Sequence, residues 1–181
     1  MSLTTIPDLA GRPVQASDQA SFQRAYGHLF EHSPWVVQRA WDRRPFADAA
    51  ALHAAFLRVI DGADIAERLN LIRAHPRLAD KAAIAAGLTA SSQIEQSSAG
   101  LDRLTCEEYR SFQVLNHAYD SRFGFPFIIC VRLHDKAGIL AALRERLLRK
   151  LEEELAEAVI QIGLISRLRL GDVRLSAEAP R

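Results

Sequence analysis

From residue 18 to residue 168 the apolar side chains recur at helical spacing, and only Phe127 to Leu133 offers anything like the alternation of a strand. An antiparallel sheet needs several such runs. The chain is therefore expected to be all-α, one domain over residues 1–181 of about eight helices, with an extended arm at 1–16 and a tail at 173–181. Start and stop signals divide it. Asp18 caps a helix to about Gly27 that buries Phe22, Ala25 and Tyr26. Ser33-Pro34 sets a cap before a first-turn proline, whose missing N–H costs nothing there. Asp48 opens AALHAAFLRVI, with Leu52, Ala55, Phe56, Val59 and Ile60 on one face. A helix from Asp64 to Ala74 turns Ile65, Leu69 and Ile72 to one side, and Pro76 ends it by pushing His75 out of the helical region.

Further along, an Ala-rich helix runs to Gly87 and another spans about Ala90 to Ser98. Thr105 and Glu108 form a capping box for a helix that holds Tyr109, Phe112, Leu115 and Tyr119 and stops at Gly124. Asp135 opens the last helical region, with a break near Lys150. Its final piece has Glu152, Glu153, Glu154 and Glu157 early and Arg167 and Arg169 late, the order a helix dipole favours.

The charge balance, 23 basic against 22 acidic residues, gives a net +1 and no field to hold nucleic acid. No apolar run reaches membrane length. The N-terminus lacks the basic and apolar regions of a secretion signal, and the closing SAEAPR is not an S-K-L address, so the cytoplasm is the expected location. Cys106 and Cys130 make neither a disulfide scaffold nor a metal ligand set. They are expected to be buried apolar residues.

Three stretches between Arg73 and Arg132 stand out. His75 precedes a proline that stiffens the backbone, so its imidazole is held in place. It suits proton transfer near neutral pH; the plainer alternative, which composition and spacing favour, is a histidine complementing a helix C-terminus. Ser92 and Glu95 share a helix face and Gln96 lies about 100° further round. Together they offer the donors and acceptors that a ureide needs, or else they form a solvated helix surface. Phe125 to Val131 cannot be wholly helical, so it lines a pocket with main-chain polar groups or serves as a buried connector. The pattern His28-x-x-Glu31-His32 matches a zinc protease signature, but the new helix start at Ser33-Pro34 breaks the helix it requires, and no metal is expected.

The pieces FEHSPWVVQRAW, LIRAHPRLADKAA, SQIEQSSAGL, FQVLNHAYDSRFGFPFIICVR and LRLGD, in this order from about residue 20 to 172, resemble the OHCU decarboxylase family. OHCU is 2-oxo-4-hydroxy-4-carboxy-5-ureidoimidazoline, made from urate by an oxidase and a hydrolase. The resemblance implies an all-helical homodimer without metal or organic cofactor that converts this ureidoimidazoline to (S)-allantoin and CO2. It implies catalytic roles for His75, Glu95 and Arg169. It implies substrate contacts from Pro76, Ser92, Gln93, Ile94, Glu95, Gln96, Phe127, Ile128, Ile129, Cys130 and Val131, with Arg167 as the alternative arginine. The competing expectations are a helical interaction module without chemistry and a decarboxylase for a different ureide or imidazoline.

Overall fold

Side-chain carboxylates and hydroxyls accept the free N–H groups at nearly every helix start, which is why the caps written in the sequence set the boundaries. The computed structural model describes residues 4–14, 16–79 and 89–178, with side chains to 173. Asp18 accepts from Ser21 N at 2.7 Å and opens α1, Gln19–Tyr26. Next come α2, Trp35–Trp41, and α3, Ala49–Asp61, which Asp48 caps at 2.8 Å. Asp64 and Glu67 form a capping box on α4, Ile65–Arg73. Thr89 caps α5, Ala90–Ser98, and Thr105 with Glu108 boxes the start of α6, Cys106–Phe123. Asp135 opens α7, Lys136–Arg146, and α8 is Leu151–Glu178. The described residues contain these eight α-helices, 3-10 turns at Gly27–Leu29 and Val131–Leu133, and no strand. None of these helices is long and apolar enough to cross a membrane.

The all-α expectation holds, and so does the break near Lys150. Several details differ. Ser33 is buried and caps nothing with its side chain; α2 starts one residue late, because Pro34 itself takes the cap position at φ −62°. Ile65, in the first turn of α4, is exposed, and Leu71 and Ile72 carry that helix's burial. Phe127 to Leu133 finds no strand partner and closes in a 3-10 turn. Ala25, Tyr109 and Leu115 are only half-buried. Glu154, read as a dipole complement, is fully buried. The last helix runs to Glu178, through the start of the expected tail. The Ala-rich helix ending at Gly87 lies outside the described residues.

The chain divides into two compact units, Met1–Thr5 with His75–Ile162 and Ile6–Ala74 with Gly163–Arg181. In the first, α6 packs on α7. Tyr119 sits at the centre of a ring cluster, 4.6 Å from Phe123, 6.0 Å from Phe125 and 5.3 Å from Phe127. Its hydroxyl donates to Glu154, which also accepts from Arg146 Nε at 2.6 Å. Burial and the neighbouring carboxylate push the Tyr119 phenol far up, so it stays a donor.

In the second unit, α2 packs on α1 and α3. Phe22 meets Tyr26 and Trp41 at 5.0 and 5.2 Å, and Phe30 meets Phe56 edge-on at 5.4 Å. The arm is not loose: Gly11 N donates to Asp48 at 2.9 Å, Ala49 N donates to the Arg12 carbonyl at 2.7 Å, and Leu9 is buried. Gly163 permits close helix packing, since a Cβ there meets Leu57 at 3.0 Å. Beside it, His53 Nε2 lies 3.0 Å from the Gly163 carbonyl and 3.2 Å from Ser166 Oγ.

Burial holds the His53 pKa below its ordinary value, against the opposing hydrogen bond to Gly163. The folded chain thus binds fewer protons at this site than the unfolded chain. The stability His53 contributes is whole above the unfolded value of about 6.5 and is lost as pH falls from there towards the lower folded value, with a slope of at most about 1.4 kcal/mol per pH unit. His28 and His134 shift the same way, also by burial, so the slope is shared. Urea midpoints at pH 7.5 and 5.5 should therefore fall further apart in the wild type than in His53→Gln, which keeps a donor but does not titrate. Equal pH slopes in both proteins would remove His53 from this account.

Candidate active site

The corner after α4 is built from backbone that no helix ladder satisfies. His75 is buried and Pro76 half-buried. Four residues on from His75, Ala79 adopts φ 55°, a left-handed value that a residue with a Cβ keeps only when its surroundings hold it. Side chains of two helices supply that hold. Ala79 N donates to Gln96 Oε1 of α5 at 3.1 Å. From α6, Gln113 donates to the Ala79 carbonyl at 3.1 Å and Asn116 to the Leu78 carbonyl at 2.9 Å. Arg77 pairs with Asp120, also on α6.

Along α5 the predicted polar run splits by helix geometry. Ser92, Glu95 and Gln96, at i, i+3 and i+4, are 5, 8 and 6% exposed. Gln93 and Ile94 face outward, Ile94 at 69%. The reading of this run as a solvated surface therefore fails for its three inward residues and describes the other two. A serine, a carboxylate and an amide turned into one protein interior are costly to desolvate unless they have partners.

The third piece, Phe127 to Val131, is buried at all five positions. Cys130 N donates to Gln161 Oε1 of α8 at 2.8 Å, and Arg146 Nη1 donates to the Ile128 carbonyl at 2.7 Å. The turn that follows, Val131–Leu133, packs on α5. The corner, the polar helix face and the apolar wall thus belong to one unit and are tied through α5: Gln96 grips the corner, and α5 itself lies on the end of the wall.

Arg169 and Arg167 belong to the second unit. Arg169 is buried, with Nη1 3.4 Å from the Leu29 carbonyl and Nη2 3.6 Å from Glu31 Oε1. Burial and the Arg169 charge hold the His28 pKa below its ordinary value. The His28-x-x-Glu31-His32 pattern therefore serves here as a carboxylate and a carbonyl for a buried guanidinium. Arg167 donates to the Pro7 carbonyl at 3.3 and 3.1 Å and so anchors the arm.

A family model described as OHCU decarboxylase matches residues 15–171. The chain belongs to the OHCU decarboxylase family. It is 37% identical over 171 residues to the 2-oxo-4-hydroxy-4-carboxy-5-ureidoimidazoline decarboxylase of Haloferax volcanii, covering 94% of this chain and 99% of that one. Among solved structures it is similar to an OHCU decarboxylase crystallised in the presence of (S)-allantoin, with a TM-score of 0.65 at 20% identity, covering 87% of this chain and 98% of that one; this is a likeness of fold. It is also similar to an (S)-allantoin synthase, with a TM-score of 0.69 at 27% identity over 87% of this chain, and spans about half, 51%, of that structure's chain.

In this decarboxylase-family chain, several residues that hold the His75 corner and the Phe127–Val131 segment are not among the predicted site residues. Asn116 carried a signal, a polar residue four positions after Phe112 on the buried face of α6. Gln161 carried none, and the position of Glu154 early in the last helix suggested only a helix-dipole complement. The structural part played by Gln96 is read from stability alone. Gln96→Leu leaves a buried N–H unpaired, which costs about 1–3 kcal/mol, whereas Gln96→Glu keeps an acceptor. The urea midpoint at pH 7.5 should drop further in the first variant than in the second, whose carboxylate is costly to bury but still accepts from Ala79 N. Equal midpoints in both would mean the Ala79 contact bears no weight.

Proposed function

We propose that the chain catalyses the decarboxylation of OHCU to (S)-allantoin and CO2 in urate degradation, as a carboxy-lyase, with His75 and Glu95 as its working groups and Arg169 as its functional guanidinium. The observation that carries this reading is the burial of His75, Ser92, Glu95 and Gln96 in one unit of a chain whose residues 15–171 match the family.

The substrate itself supplies the electron sink. Its carboxylate leaves a carbon that bears a hydroxyl and adjoins a C=N bond. As the C–C bond breaks, its electron pair forms a new C=C bond while the C=N pair moves onto nitrogen, which takes up a proton. His75 removes the hydroxyl proton, oriented by Glu95 or acting together with it. The resulting enolate collapses to the ring amide carbonyl, and the neighbouring carbon receives a proton on one face, which makes the product chiral. The net change is one CO2 lost and one proton gained, so no step calls for an external cofactor.

Each protein group has a matching duty. The guanidinium of Arg169 suits the planar oxygen pairs of an anionic substrate. The Ser92 hydroxyl and the Gln96 amide suit a ureide, which has both N–H and C=O to satisfy. The Phe127–Val131 wall excludes water, and a dry site strengthens every charge contact in it. Pro76 stiffens the His75 corner. Gln93 and Ile94, facing outward, take part through their backbone or not at all. The reading extends to a cytoplasmic homodimer, which sedimentation of the purified chain tests for its oligomeric part.

Substrate generated from urate in the presence of the oxidase and hydrolase allows (S)-allantoin to be followed by circular dichroism. Wild-type protein should give one enantiomer quickly, over a slow racemic background. His75→Ala should lose about 10²–10⁴-fold in kcat, the usual worth of positioned proton transfer, with its melting temperature little changed. Glu95→Gln should fall strongly as well. Wild-type turnover in His75→Ala removes the imidazole from the reaction.

A further inference from the structure

The geometry points to Gln161 and Arg146 as positioning residues that hold the Phe127–Val131 segment in its substrate-facing shape; this inference rests on the proposed role of that segment. The segment is wholly buried and belongs to no strand or α-helix, so its polar groups need partners from other parts of the chain. Two are provided from separate helices. Arg146 of α7 donates Nη1 to the Ile128 carbonyl at 2.7 Å while its guanidinium lies 4.6 Å from the centre of the Phe127 ring. Gln161 of α8 accepts from Cys130 N at 2.8 Å. Residues 128 and 130 are thereby pinned, one through its carbonyl and one through its amide, and Ile129 is held between the two pins.

Each pin is itself oriented. Arg146 Nε donates to Glu154 at 2.6 Å, and Tyr119 donates to the same carboxylate. Gln161 Nε2 donates to Glu157 Oε1 at 2.8 Å, and Glu157 pairs with Arg149 at 3.3 Å. The second chain fixes the amide flip: Glu157 accepts only from the NH2 end, so the carbonyl end must face Cys130. The two arms differ in depth. Arg146 and Glu154 are 4 and 0% exposed and form part of the core, whereas Gln161 is half-buried, so Gln161 can be altered without opening the core.

The test uses Gln161→Met, which keeps length and volume but offers Cys130 no good acceptor. Loss of one positioning hydrogen bond should raise KM about 3- to 10-fold, with kcat within about twofold of wild type and the melting temperature nearly unchanged. The exchanged pair Gln161→Glu with Glu157→Gln restores an acceptor for Cys130 and a donor to orient it, and should bring KM back. In parallel, hydrogen exchange over residues 127–131 should slow in wild-type protein at saturating (S)-allantoin. If (S)-allantoin slows that exchange but Gln161→Met leaves KM unchanged, the positioning role is overturned while the segment keeps its place at the substrate. If (S)-allantoin leaves the exchange unaltered, the substrate-facing reading fails and takes this inference with it. A fall in melting temperature with KM unmoved marks a structural role only and also overturns it.

Discussion

In the unit that carries His75 and Glu95, the interior is hung on a buried guanidinium–carboxylate pair, Arg146 with Glu154. Such pairs seldom add much net stability, because desolvating both charges offsets their attraction; removing one partner, though, strands the other and costs about 3–5 kcal/mol. What the pair supplies here is direction. Arg146 spends one donor on Glu154 and another on the Ile128 carbonyl, and Glu154 draws in the Tyr119 hydroxyl. Three helices and one irregular segment are thereby registered against each other by charge-assisted bonds, which tolerate far less sliding than apolar contacts do.

The same logic runs through the corner at His75. A buried chain that is neither helix nor strand must find donors and acceptors elsewhere. Gln96, Gln113 and Asn116 supply them for Leu78 and Ala79. Local strain at Ala79 persists because these bonds over-determine it. These bonds hold the backbone three and four positions after His75. Gln96 thus has a structural duty in addition to any contact with the substrate.

The second unit treats Arg169 in a comparable way. A buried guanidinium keeps its charge, so its neighbours must accommodate it: Glu31 and the Leu29 carbonyl approach it, and His28 nearby is held towards its neutral form. Glu31 is a partner chosen by burial, since an exposed carboxylate at that distance is worth little. The FEHSPW stretch that looks like a metal signature is thus a device for seating an arginine.

The sequence by itself determined most of the described helices and where they begin. Asp18, Asp48, Asp64, Thr105 and Asp135 cap helices because the N–H groups they satisfy lie within three residues, a local matter that spacing records. It also carried the family motifs, and with them His75, the SQIEQ run and the wall. Only the tertiary structure decided which of those residues turn inward. Ser92, Glu95 and Gln96 are buried while Gln93 and Ile94 are not, because the face that α5 presents depends on the Val131–Leu133 turn packed against it. Nothing local in the sequence marks the work of Glu154 and Gln161, which exists only once the Phe127–Val131 segment arrives from elsewhere in the chain. Hydrogen bonds across 31 residues, as between Cys130 and Gln161, leave no periodic trace in a sequence.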